Sequence, residues 1–188
     1  DIAGMREGDV RRHRRDIQIV FQDPYRSLNP RRTVGQSIVE GPVNFGLSET
    51  EARGRAEELM RVVGLSADAL ERFPHQFSGG QRQRIAIARA LVLEPRVLVA
   101  DEAVSALDVS VQAAVLELLD DVRNSFDLAM LFITHDLRVA AQVCDRIIVM
   151  RQGVVVEQGP TAEVYANPQH EYTQSLLAAA PGHQMFAN

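Results

Sequence analysis

The sequence predicts an α/β fold with a mostly parallel sheet and a helical subdomain, and three observations carry that expectation. First, the apolar runs RVLVA (Arg96 to Ala100) and LAMLFIT (Leu128 to Thr134) alternate with helix-like segments at Val111 to Val122 and Leu137 to Val143. Alternation of that kind is the pattern of a parallel sheet. Second, the sheet pattern breaks at Pro24 and returns only at Arg96, with helix caps between. Third, 188 residues with 46% hydrophobic side chains suit one domain able to bury roughly 70% of its unfolded surface.

In chain order, Arg11 to Arg15 reads as a solvated charged face. Asp16 to Phe21 (DIQIVF) tends toward apolar alternation and reads as a strand ending near Gln22; QDPYRSLNPR, with two prolines and Asn29, reads as a loop. Ser48 and Glu51 have capping-box spacing, Ala56, Leu59, Met60 and Val63 make one helical face, and Gly64 stands at the C-terminal position. A second helix opens after Ser78-Gly79-Gly80, with Ile85, Ala88, Arg89 and Val92 on one face, and Pro95 stops it. Arg96 to Ala100 and Leu128 to Thr134 read as strands buried on both faces. RIIVM and VVVEQG flank Arg151-Gln152-Gly153 as a closing hairpin on the antiparallel edge of the sheet. The tail after Gly159 reads as short helical pieces.

A net charge of −5 lacks the basic excess of a general nucleic-acid binder. The single cysteine, Cys144, excludes an internal disulfide and a multi-cysteine metal site, fits a reducing compartment, and reads as a small core residue. No apolar run approaches the ~20 residues of a spanning helix. All 20 basic residues are arginines, so lysine is absent, and the first residue is Asp1.

In an open parallel sheet, ligands bind beyond the carboxyl ends of the strands. The residues there are Gln22, Asp101 with Glu102, and His135. A hard carboxylate, a second acid able to take a proton from water, and neutral donors able to sense a terminal phosphate suit a metal-nucleotide site. Each signal alone also fits a plain role: Asp-Glu as a helix N-cap or turn, His135 as a loop residue, Ser-Gly-Gly as a turn.

The combination, in this order, is specific. SGGQRQRIAIARAL (Ser78 to Leu91) followed by VLVADEAVSALD (Val97 to Asp108) resembles the signature motif, Walker B strand and D-loop of an ABC transporter ATPase. IVFQDP (Ile19 to Pro24) resembles that family's Q-loop, and FITHD (Phe132 to Asp136) its switch-histidine loop. FQDPYRSLNPR and the tail NPQHEYTQSLLAAAP (Asn167 to Pro181) are similar to the oligopeptide and dipeptide importer branch. The resemblance implies a P-loop NTPase-like ABC core. Residues 1–22 would be a remnant of that core, 23–91 a helical subdomain carrying the signature, 92–160 core again, and 161–188 a tail of peptide-importer type.

The resemblance also implies roles. Asp101 would hold Mg²⁺ with Gln22, which would also sense the attacking water among the catalytic residues while its loop touches the permease; Glu102 would orient and deprotonate that water, and His135 would hydrogen-bond the γ-phosphate of ATP. Ser78, Gly79, Gly80, Gln81 and Asp108 would bind nucleotide, Ser78 and Gly80 acting in trans on the γ-phosphate of a nucleotide held by a second ATPase subunit, in a homo- or heterodimer of two-fold symmetry. Implied partners are transmembrane permease subunits and, indirectly, an extracytoplasmic solute-binding protein, with no nucleic acid. The implied location is peripheral, on the cytoplasmic face of the cell membrane.

Two departures are visible. No Gly-rich loop ending in Gly-Lys-Ser/Thr occurs; the expectation is that the N-terminal part of the core is missing and that the isolated fragment is inactive. Ala103 stands where the family commonly has proline. Two alternatives stay open: a non-catalytic cassette that docks on a permease or dimerises, and a nucleic-acid-associated ATPase, against which the close spacing of signature and Walker B segments argues.

Overall fold

The computed structural model describes residues 3–179. The chain forms two compact units, divided between Ile133 and Thr134, so the division falls inside the segment 92–160.

The first unit holds a three-stranded parallel sheet in the order β1 (Ile17–Val20), β2 (Val97–Asp101), β3 (Ala129–Ile133). Ile17 lies opposite Val97, and Val97 opposite Ala129. The sheet's buried face is built by Val20, Leu98 and Ala100. Helix α5 (Gly79–Leu91) packs on β1 and on α6 (Val109–Phe126). The opposite face remains open: Ile17, Ile19, Phe21, Leu131 and Ile133 are all exposed, Leu131 at 51%. β3 is therefore not the doubly buried strand expected from its apolar run. Apolar composition records a strand's affinity for burial and says nothing of whether a layer is present to supply it.

A helix not foreseen in the sequence, α1 (Glu7–Asp16), runs directly into β1. It absorbs the arginine cluster: Arg14 pairs with Glu7 at 2.7 Å, while Arg11 and Arg15 reach the carbonyls of Asn44 and Leu93. Between β1 and β2 the chain is helical, through α2 (Pro24–Ser27), α3 (Val34–Asn44), α4 (Glu49–Val62) and α5. The caps explain the starts. Ser48 and Glu51 form the expected reciprocal box, and Thr33 with Gln36 makes a second at α3. Gly64 takes φ 71° after α4, a conformation that costs glycine little. Ile38, Met60, Val63, Ile85 and Ile87 form the core of this lobe, each with 0% exposure.

The second unit contains α7 (Leu137–Val143), the hairpin β4 (Arg146–Arg151) and β5 (Val154–Pro160), then α8 (Thr161–Ala166) and α9 (Glu171–Ala179). The hairpin turn forms as expected, with Gln152 and Gly153 both at positive φ, the signature of a type I′ turn. It does not extend the parallel sheet: β4 and β5 make a separate two-stranded sheet. The strand pattern is local and correct, but sheet membership needs a neighbour hydrogen-bonded along β4's other edge, and none occurs among the described residues. Cys144 is half-buried, where a core position was expected, and its carbonyl accepts from Thr161 Oγ1 at 2.6 Å. Tyr165 donates its hydroxyl to the Leu137 carbonyl, and burial pushes its pKa up to about 12. Glu157 receives the backbone N–H groups of Gln169 and His170 at 2.8 and 3.1 Å, tying the tail to β5. Pro181, the last residue of the tail motif, lies outside the described residues.

Candidate functional site

The parallel register builds the centre of the site. Residues 17–20 pair with 97–100, and the same offset carried past the strand ends sets Gln22 beside Glu102. Gln22 Nε2 donates to Glu102 Oε2 at 2.7 Å and also reaches Ser105 Oγ at 3.3 Å. Glu102 itself sits at φ 46°, in the left-handed region that non-glycine residues enter at a cost of about 1–2 kcal/mol. Three bonds hold it there: its N–H donates to the Ile133 carbonyl at 2.9 Å, and its carbonyl accepts from the N–H and hydroxyl of Ser105, each at 3.0 Å. The turn that lacks the family's proline is thus closed by Ser105, while Ala103 is buried at 1% exposure. Sequence reasoning missed Ser105. Its only signal was a hydroxyl three residues after the acid, where it can reach back to the carbonyl.

Asp101 ends β2 in register with Ile133. Together with the side-chain carbonyl of Gln22 it offers hard oxygen donors. Among the described residues no group of three or more His, Cys, Asp and Glu could hold a metal by itself. That donor set suits a magnesium ion, which takes one or two protein oxygens and completes its shell with phosphates and water.

The Ser78–Gly80 turn opens α5 as a capping box. Ser78 Oγ accepts from Gln81 N–H at 3.3 Å and Gln81 Oε1 accepts from Ser78 N–H at 3.0 Å. Those two amides are therefore engaged within the helix start, and the first-turn amides left for an anion are those of Gly79 and Gly80. Gln81 completes the cap through its amide and its Oε1. Asp108 likewise caps α6: its Oδ1 accepts from Val111 N–H at 3.0 Å and from the Ser110 hydroxyl at 2.8 Å. The Val111 amide, and then the Ser110 hydroxyl, hold the Asp108 carboxyl below its ordinary 3.8. A depressed carboxyl contributes stability that is complete above the ordinary value and is lost as pH falls through the lower folded value. Asp108→Asn keeps a capping oxygen without that titration. In urea unfolding followed from neutral pH to below 3.8, the wild type is expected to lose more stability than the variant; parallel curves would refute the cap's charge contribution.

His135 follows β3 and belongs to the second unit, where it is exposed. Its loop is braced on both sides: Asp136 N–H donates to Thr134 Oγ1 at 3.0 Å, and the Asp136 carboxylate accepts from the Arg138 amide at 2.9 Å and its guanidinium at 2.8 Å. The Arg138 guanidinium holds the Asp136 carboxyl below the usual range. Gln22, Asp101, Glu102 and Ser105 are thus assembled in the first unit, with Ser78 to Gln81 and Asp108 opening two helices there.

A parallel sheet whose strand ends present Asp101 and a Gln22-braced Glu102, with a capped Ser-Gly-Gly helix start in the same unit, belongs to the α/β class, in which ligands bind beyond the carboxyl ends of the strands. Residues 2–105, more than half the chain, match the ABC transporter family, and the chain belongs to it. It is 51% identical over 96% of its length to a probable peptide ABC transporter ATP-binding protein, y4tS, of Sinorhizobium fredii. It is 49% identical over 96% of its length to a di/tripeptide transport ATP-binding protein, DppF, of Pseudomonas aeruginosa. These matches cover 52% and 56% of the two relatives, so the chain spans about half the length of the curated relatives it matches. Among solved structures, cbiO1 from Clostridium perfringens, part of the ABC transporter complex cbiONQ, superposes with a TM-score of 0.78 at 32% identity, covering 96% of this chain and 71% of that one.

Proposed function

We propose that this chain works as part of a nucleotide-binding subunit coupling ATP binding and hydrolysis to the import of peptides or related solutes through a permease. The observation that carries the reading is the Gln22–Glu102–Ser105 cluster at the carboxyl ends of β1 and β2. The peptide-transport names of the relatives support the solute class. Glu102, fixed at Oε2 by Gln22, accepts the proton of the attacking water; His135 donates to the γ-phosphate. Asp101 and Gln22 would hold Mg²⁺, which when bound neutralises phosphate charge. Gly79 and Gly80 present their amides, and Ser78 its hydroxyl, to a nucleotide on a second ATPase subunit, with Asp108 on the same face.

These 188 residues carry no lysine and no Gly-Lys-Ser/Thr loop, so hydrolysis is proposed for a chain in which such a loop is joined to them. The same observation favours, for these residues alone, a docking or dimerising role without turnover. No helix of the described residues is long and apolar enough to cross a membrane; the proposed position is peripheral, held by the permease on the cytoplasmic face.

The permease contact is assigned to residues 24–30. They border a cleft of about 510 Å³ lined by Ser27, Leu28, Asn29, Pro30, Glu40 and Arg89, among others. Arg89, on the last turn of α5, donates to the Ser27 carbonyl and so ties this segment to the signature helix. A photo-crosslinker at Ser27 is expected to label a cytoplasmic loop of the permease. Labelling confined to a probe at Arg151 or Gln152 would overturn the assignment.

A further inference from the structure

The two glycines of the Ser78–Gly80 turn are not equivalent in their surroundings. A Cβ built on Gly79 would meet Leu107 Cδ2 at 3.9 Å, an ordinary contact, whereas one on Gly80 would lie 2.4 Å from Val111 Cγ1. Gly80 is helical and is not among the residues at positive φ, so backbone conformation does not demand glycine there. The demand is steric.

Val111 stands on the first turn of α6, where its N–H is held by the Asp108 carboxylate at 3.0 Å. A β-branched side chain in a helix is confined to one strongly preferred rotamer, so its methyl group has no inexpensive way to swing aside. Without the clash, alanine would suit a helical position better than glycine.

We propose that Val111 is a positioning residue for the Ser78–Gly80 turn: it seats the start of α5 against the start of α6, and Gly80 is glycine because that seat leaves no room for a Cβ. The turn and the Asp108 segment then move as one body. The functional weight of this coupling rests on the reading above, in which both face a partner's nucleotide; the packing itself does not.

The test uses the 188-residue chain without nucleotide, so its outcome is independent of whether the chain serves an ATPase. Amide hydrogen exchange across residues 79–84 and 109–114 is compared for Gly79→Ala, Gly80→Ala, Val111→Ala and Gly80→Ala/Val111→Ala. Gly80→Ala is expected to speed exchange in the first turns of both helices about tenfold, and Val111→Ala to cancel that increase in the double variant, as coupled neighbours do. Gly79→Ala is expected to stay near the wild type. Leu107→Ala, combined with Gly80→Ala, gives no rescue. If Gly80→Ala fails to fold, the comparison becomes folding itself: a folded double variant supports the proposal and an unfolded one overturns it. Wild-type exchange in Gly80→Ala, or a double variant as disturbed as Gly80→Ala, also overturns it.

Discussion

Glu102→Gln, made in a chain that joins a Gly-Lys-Ser/Thr loop to these residues, is expected to keep nucleotide binding and lose phosphate release by about 10²–10⁴-fold, the usual contribution of a positioned general base. The amide preserves shape and can still accept the hydrogen bond that Gln22 Nε2 gives to Oε2, so the turn at φ 46° has no reason to relax. What the amide cannot do is take a proton from water. The ATP-bound dimer should accumulate, visible as an earlier size-exclusion peak with ATP present. The unjoined chain should release no phosphate above background, because phosphoryl transfer depends on positioning and charge neutralisation that its acids cannot supply alone. Undiminished turnover in the variant, or steady hydrolysis by the unjoined chain, would show the roles to be wrongly assigned.

Leu98→Ala is expected to destabilise the first unit by about 2–5 kcal/mol, the range for emptying a buried leucine site. Leu98 has 0% exposure at the centre of β2, with Gln18 and Met130 opposite it on the flanking strands. Leu131→Ala, on the open side of β3 at 51% exposure, should cost within about 0.5 kcal/mol. Urea midpoints at constant slope separate the two. Equal losses would mean that the apolar face of β3 is covered in solution. Against a typical total of about 5–15 kcal/mol, the Leu98 change alone can leave the unit largely unfolded.

Much of this was legible in the residues because the determining interactions are short in sequence. The Ser48–Glu51 box, the Gly64 stop and the Gln152-Gly153 turn each rest on contacts within a few positions, and each of the three strands is marked by its own short apolar run, whatever it pairs with. The Ser78–Gln81 box is equally local. The helix at Glu7–Asp16 was missed because its strongly charged sequence offers no apolar stripe to mark a period.

By itself the sequence determined the family, the order of the strands in the chain and the identity of the acids at their ends, because motif spacing and hydrophobic period are one-dimensional properties. Tertiary structure decided what those residues touch. Gln22 meets Glu102 across 80 positions only because Ile17 lies opposite Val97 in the sheet. Gly80 is constrained by a valine 31 positions away. The sheet buries one face because helices pack on one side of it. Each of these depends on strand register or on the approach of two helices, geometry that no local preference encodes and that appears only when distant segments share a core.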